Sequence, residues 1–165
     1  FAVQLAKSSG AEVTAVCSTR NLDMARSIGA DYVIDYTKED FTKTGQLYDL
    51  IIAANGDRSI SDYRRALSPK GIYVQTGGSM AQMTQAMLQG PWISMTGSKK
   101  MGNMGVAKPN QNDLALMKEL LEAGKVKPVI DRCYPLSEVP DAIRYLEEGP
   151  AKGQVVITVA QRNEK

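Results

Sequence analysis

Short apolar runs alternate with helical stretches along almost the whole of this 165-residue chain. The runs Glu12–Cys17, Tyr32–Asp35, Tyr48–Ala54 and Gly71–Thr76 read as strands, as do Val129–Tyr134 and Gln154–Val159 further on. Helical segments and short connections separate them, and that alternation calls for a parallel sheet covered by helices. The chain opens on a helix, from Phe1 to Ser9, stopped by Gly10 and leading straight into Glu12–Cys17. A helix feeding a buried strand is the second half of a β-α-β unit. Its first half, a strand and a turn, is expected upstream of Phe1. In nucleotide-binding units that turn is a glycine-rich loop holding a pyrophosphate.

Between these strands the expected pattern is as follows. A helix starts at Asn21 or Asp23 and ends at Ile28-Gly29, and Glu39–Thr44 forms one helical turn. A helix over Ser59–Leu67 is closed by Ser68-Pro69-Lys70-Gly71. Ala81–Leu88 is helical, Pro91–Thr96 is a strand, and Gly97 to Asn110 is a loop. Within that loop, Ser98 to Gly105 lines a substrate cleft or a subunit contact, or is disordered. Asn112 or Asp113 caps a helix that carries Leu114, Met117, Leu120 and Leu121 on one side and stops at Gly124. Ser137-Glu138-Val139-Pro140 opens a last helix to Glu148.

Composition excludes several classes. The net charge is +2 and the basic residues are scattered among acids, so no nucleic-acid stripe is present. No apolar run is long enough to span a bilayer. There is no histidine, which removes the Ser-His and Cys-His nucleophile systems and the commonest zinc ligand. Cys17 and Cys133 are far apart in apolar, strand-like segments and read as two buried reduced thiols rather than a metal site. The chemistry is therefore expected to come from an organic cofactor, with no metal.

The informative position is the end of the Glu12–Cys17 strand, because in open α/β folds the residue just past it meets the adenine ribose. An acid there would bind both ribose hydroxyls. This chain has Ser18-Thr19-Arg20-Asn21. Two hydroxyls and a guanidinium suit a phosphate, which favours NADP(H) over NAD(H). The alternative is that Ser18 and Asn21 cap the next helix while Arg20 is solvated. Tyr36, after the next strand, either packs over the adenine pocket and reaches a phosphate or packs at a sheet edge. Asn55-Gly56 and Gly77-Gly78-Ser79 end two further strands at the same carboxyl edge. There glycine either lets backbone approach a ribose or nicotinamide or serves an ordinary turn. Lys152 either sets a cation near cofactor phosphate or is solvated.

Taken together, Phe1-Ala2-Val3-Gln4-Leu5-Ala6-Lys7, Gly10-Ala11 and Arg26 through Tyr36 resemble the cofactor domain of medium-chain dehydrogenases/reductases. The likeness is to the quinone oxidoreductase, zinc-type alcohol dehydrogenase-like branch. Tyr48 to Ile51, Pro69-Lys70-Gly71, Gly77-Gly78, Pro135 to Val139 and Lys152 to Val156 extend it over nearly the whole chain. The resemblance implies an α/β fold with a Rossmann-type parallel sheet and flanking helices, lacking its first strand and glycine-rich loop. Residues 1–127 would form the NADP(H)-binding domain. Residues 128–165 would be a return segment packing on an N-terminal catalytic domain outside this sequence.

It further implies Ser18, Thr19, Arg20 and Tyr36 around a 2′-phosphate, and Asn55, Gly56, Gly78 and Ser79 along the ribose and nicotinamide. Hydride would pass to a quinone, carbonyl or activated alkene, a small-molecule substrate, with catalytic residues unassigned and the isolated chain inactive or weakly cofactor-binding. A second copy of the chain, as a homodimer, is the expected cover for apolar faces, and the expected location is cytoplasmic. Two alternatives stand beside this reading: an enoyl reductase module of a lipid or polyketide pathway, and a non-catalytic binding module that keeps the fold.

Overall fold

The computed structural model describes residues 1–56, 58–77, 98–103, 108, 110–149 and 151–159, with Thr84, Leu88 and Met95. The expected helix at Ala81–Leu88 and strand at Pro91–Thr96 lie outside the described residues, apart from those three isolated positions. The chain divides into two compact units, Phe1–Val33 with Ala115–Lys165, and Ile34–Leu114.

In the second unit, strands β3 (Tyr48–Ala53), β4 (Leu67–Gln75) and β5 (Lys100–Asn103) form a sheet in that order, and both pairings are parallel. Helix α3 (Ile60–Ala66) connects β3 to β4. Ser59 starts it, its hydroxyl accepting from the Asp62 N–H at 3.2 Å. Ile60, Tyr63 and Ala66 recur at helical spacing and are all buried, so one face of α3 meets the sheet. The core is Phe41, Ile51, Ala53, Ile60, Tyr63, Ala66, Leu67, Tyr73 and Met101. Tyr63 and Tyr73 sit 4.7 Å apart between ring centroids, and Phe41 meets Tyr48 edge-on at 6.0 Å. Burying Leu67, which has no exposed surface, stabilises the fold by roughly 1.5–3 kcal/mol.

Two expectations are corrected here. Ser68-Pro69-Lys70-Gly71 does not precede a strand starting at Gly71; it lies inside β4. Tyr48 pairs with Leu67, the register shifts, and pairing resumes with Leu50 opposite Ile72. The shift is a bulge that holds Lys70 at φ +70°. The stretch read as a loop from Gly97 contains β5, where Met101 is 5% exposed and aligned with Tyr73. Lys99 donates to the Arg64 and Leu67 carbonyls at 2.7 and 2.6 Å. It thereby satisfies carbonyls that the end of α3 leaves unpaired.

In the first unit, helix α1 (Ala2–Ser8) precedes β1 (Thr14–Cys17), a 3₁₀ turn (Thr19–Asn21) and helix α2 (Leu22–Ser27). Strand β2 (Tyr32–Asp35) pairs with β1. The two strands begin side by side, since the Asp31 and Tyr32 N–H groups both donate to the Val13 carbonyl at 2.9 and 3.1 Å. Asp31 ties the start of this sheet together. Its carboxylate accepts from Lys7 Nζ at 2.8 Å and from the Val13 N–H at 2.7 Å. These contacts hold its carboxyl below the ordinary carboxylate range, the Lys7 hydrogen bond acting most strongly.

Helix α4 (Gln111–Glu122) is capped by Asn110, whose side-chain oxygen accepts from the Asp113 N–H at 2.8 Å. Neither Asn112 nor Asp113 is the cap. After it, the buried Gln4 of α1 grips Lys127 twice. It donates to the Lys127 carbonyl at 2.8 Å and accepts from its N–H at 2.7 Å. Strand β6 (Ile130–Pro135), helix α5 (Val139–Glu148) and strand β7 (Gln154–Thr158) complete a parallel β-α-β unit. Pro140 stands in the first turn of α5 as expected. Neither cysteine is in a disulfide, but Cys133 is exposed and Cys17 only half-buried, so neither fits the buried pair expected.

Candidate functional site

The turn after β1 carries the predicted phosphate set. Ser18 leaves the strand in an extended conformation and Thr19-Arg20-Asn21 form the 3₁₀ turn. Capping does not explain these residues, because neither the Ser18 nor the Asn21 side chain makes a cap hydrogen bond to the helix it precedes. The Asn21 amide donates to Ser18 Oγ only at 3.5 Å, and its Oδ1 is buried without a partner. Arg20 is exposed and makes no hydrogen bond or ion pair among the described residues. Thr19 is exposed. Asp23, in the first turn of α2, pairs with Arg26 at 2.9 Å.

Tyr36 follows the end of β2, is 48% exposed, and makes no hydrogen bond or ring contact among the described residues. Lys152 is exposed and is held through its backbone, not its ammonium group. Its N–H donates to Asp131 Oδ2 at 3.0 Å, an oxygen that also accepts from the Tyr145 hydroxyl at 2.7 Å. The Tyr145 bond, then the Lys152 amide, keep the Asp131 carboxyl below its usual range. Arg132 lies 4.1 Å from the centre of the Tyr145 ring and completes this cluster.

In the second unit, Asn55 and Gly56 follow β3 and Gly77 follows β4; Gly78 and Ser79 lie outside the described residues. Asn55 is exposed without a hydrogen bond. The glycines here have an internal reason. A Cβ at Gly56 would overlap the Tyr63 hydroxyl, and a Cβ at Gly77 would overlap the Ala54 carbonyl oxygen. Close approach of the chain to itself is thus sufficient to require glycine at both turns. The two strand ends are tied together by the Thr76 N–H, which donates to the Ala53 carbonyl at 3.0 Å.

Three side chains of this region escaped the sequence reading. Tyr63 sets the Gly56 turn, and its signal was only its place on the apolar face of α3. Asp131 fixes the Lys152 backbone and gave no signal. Gln75 ends β4, 3% exposed. Its signal was the alternation of Ile72-Tyr73-Val74-Gln75, which puts a polar residue on the same face as Tyr73.

Parallel strands with a helix in the crossover, and turns of polar residues at the strand ends, define an α/β domain of the Rossmann type. The chain belongs to the zinc-binding dehydrogenase family, whose model matches residues 28–157, and so to the medium-chain dehydrogenase/reductase superfamily. It is 34% identical over 162 residues to the chloroplast envelope quinone oxidoreductase homolog of Arabidopsis thaliana, covering 95% of this chain and 48% of that protein. It is 33% identical over 161 residues to the chloroplastic NADPH-dependent alkenal/one oxidoreductase of the same plant, covering 94% of this chain and 36% of that protein. The quinone oxidoreductase structure from Coxiella burnetii superposes with a TM-score of 0.77 at 26% identity, covering 96% of this chain and 48% of that one. The chain thus spans about half the length of the first of these relatives, and its family is one of oxidoreductases.

The family's name refers to zinc. Among the described residues no group of three His, Cys, Asp or Glu side chains is placed to hold a metal ion. Among the described residues no helix is long and apolar enough to cross a membrane.

Proposed function

We propose that this chain is the cofactor domain of an NADP(H)-dependent oxidoreductase that reduces a small quinone, carbonyl or activated alkene. The cofactor supplies the hydride. The chain's own part is to bind and orient it. Ser18, Thr19, Arg20 and Tyr36 take the 2′-phosphate end, and Asn55, Gly56, Gly78 and Ser79 the ribose and nicotinamide end, with Lys152 as a cation for the phosphates.

The observation that carries this reading is Arg20. It stands just past the first strand in sequence after two hydroxyl residues, exposed and with no partner among the described residues, where a ribose-binding carboxylate is absent. A guanidinium fork with free donors fits a phosphate, and a neutral ribose hydroxyl gives it no charge to meet. The family relation supports the same reading, since one similar protein is named for NADPH and others for quinone reduction. Residues 128–165 belong to this proposal as the return segment. The exposed Ile130, Leu136, Ile143 and Leu146 there support packing on a catalytic domain.

The test is Arg20→Ala in the full-length protein. Losing one charge-assisted hydrogen bond of about 1.5–3 kcal/mol weakens NADPH roughly ten- to a hundredfold. NADH affinity stays where it was. Equal losses for both cofactors would refute the assignment.

A further inference from the structure

Gln75 is an anomaly in an otherwise apolar place. It closes β4 in register with Ala53 on one side and Asn103 on the other, on the face that also carries Ile51, Tyr73 and Met101. Thr42, the other buried polar residue of this unit, has its hydroxyl paired with Asp40 at 2.7 Å. Gln75 is satisfied only at one end. Its Nε2 donates to the Gly77 carbonyl at 3.1 Å, while its Oε1 is buried and has no hydrogen-bond partner among the described residues. A buried acceptor left unpaired destabilises a fold, and leucine of similar volume would suit a wall made by Ala53 and Tyr73 better. The residue sits one step below the surface, because Thr76 beside it is exposed. It also sits at the carboxyl end of a parallel sheet, where open α/β folds receive ligands.

The unmet demand is specific. Nε2 is committed to Gly77, so whatever pairs with Oε1 must bring a donor. At the nicotinamide end of the coenzyme the carboxamide brings an N–H of matching planar geometry. We propose that Gln75 orients the nicotinamide ring by accepting a hydrogen bond from the coenzyme's carboxamide NH₂ at Oε1. This rests on the nicotinamide reading above and assigns one of its contacts to a residue buried before the coenzyme arrives.

Three probes separate the possibilities in the full-length protein: NADP⁺, its 3-acetylpyridine analogue with methyl in place of the carboxamide NH₂, and 2′,5′-ADP, which lacks the nicotinamide. Wild type is expected to hold NADP⁺ about tenfold more tightly than the analogue, the equivalent of one hydrogen bond. Gln75→Leu erases that preference, leaves 2′,5′-ADP affinity unchanged, and raises the melting temperature of the free protein by roughly 2–4 °C. A merely structural glutamine would lower the melting temperature and weaken all three probes together, which overturns the proposal. Equal wild-type affinity for NADP⁺ and the analogue overturns it as well, whether a ribose hydroxyl or water meets Oε1, and this comparison decides even if the variant fails to fold. Wild type that binds none of the three removes the nicotinamide reading and this contact with it. Binding of 2′,5′-ADP and NADP⁺ with no analogue discrimination removes this contact alone.

Discussion

The two compact units are held together by different means. Ile34–Leu114 has a continuous apolar core in which Leu67 is fully covered and three aromatic rings, Phe41, Tyr63 and Tyr73, pack in series. The unit of Phe1–Val33 with Ala115–Lys165 buries few large side chains. Among its described residues only Gln4, Ala25, Val126 and Ala142 are buried, while Leu116, Leu121, Ile143 and Leu146 stay exposed. Polar ties stand in for a core there: Gln4 to Lys127, Lys7 to Asp31, and Tyr145 with Lys152 to Asp131. One unit is fastened by burial and the other by directed hydrogen bonds. Burial is non-directional and strong in sum, while exposed ion pairs are weak and salt-sensitive.

Three substitutions set the two kinds of fastening against each other. The largest effect is expected at Leu67. Leu67→Ala removes a fully covered side chain and leaves a cavity, so denaturant unfolding should report a loss of about 2–5 kcal/mol. Gln4→Leu comes next. It keeps volume but strips both hydrogen bonds from the Lys127 backbone, costing about 1–2 kcal/mol by the same measurement. Equal losses from the two substitutions would erase the distinction between the halves.

Asp31→Asn is the smallest and is read by its pH dependence. The folded carboxyl is held below its unfolded value of about 3.9, so its contribution is present above that pH and fades as the pH falls through the lower folded value. Thermal melts of wild type and Asp31→Asn should therefore differ near neutral pH and converge in acid. Curves that stay parallel down to low pH would show that the Lys7 pair carries none of the acid sensitivity.

The same physical contrast governs what could be read from the sequence. Strands such as Tyr48–Ala53 and Gln154–Thr158 are legible because their apolar runs are bounded by glycine or polar residues. Strand β5 was not, since Lys100-Met101-Gly102-Asn103 contains a single large apolar side chain and owes its conformation to pairing with β4. The bulge at Ser68 to Gly71 read as a terminus because proline and glycine ordinarily stop a strand, and only the partner strand shows that pairing continues past them. Cys133 was expected inside, but β6 does not present it to a core.

In the candidate site, the Ser18-Thr19-Arg20 turn was legible from its place after an apolar run. Gly56 and Gly77 were legible as turns, yet their reason, the Tyr63 hydroxyl and the Ala54 carbonyl, is a contact across the fold that no local pattern contains.

The central claim is that the unpaired guanidinium after the first strand selects the phosphorylated coenzyme. Side-by-side calorimetric titration of the full-length protein with NADPH and NADH tests it most directly. NADPH is expected to bind more tightly than NADH, with the difference shrinking as salt is raised. Equal affinity for the two coenzymes, or a preference for NADH, would contradict it.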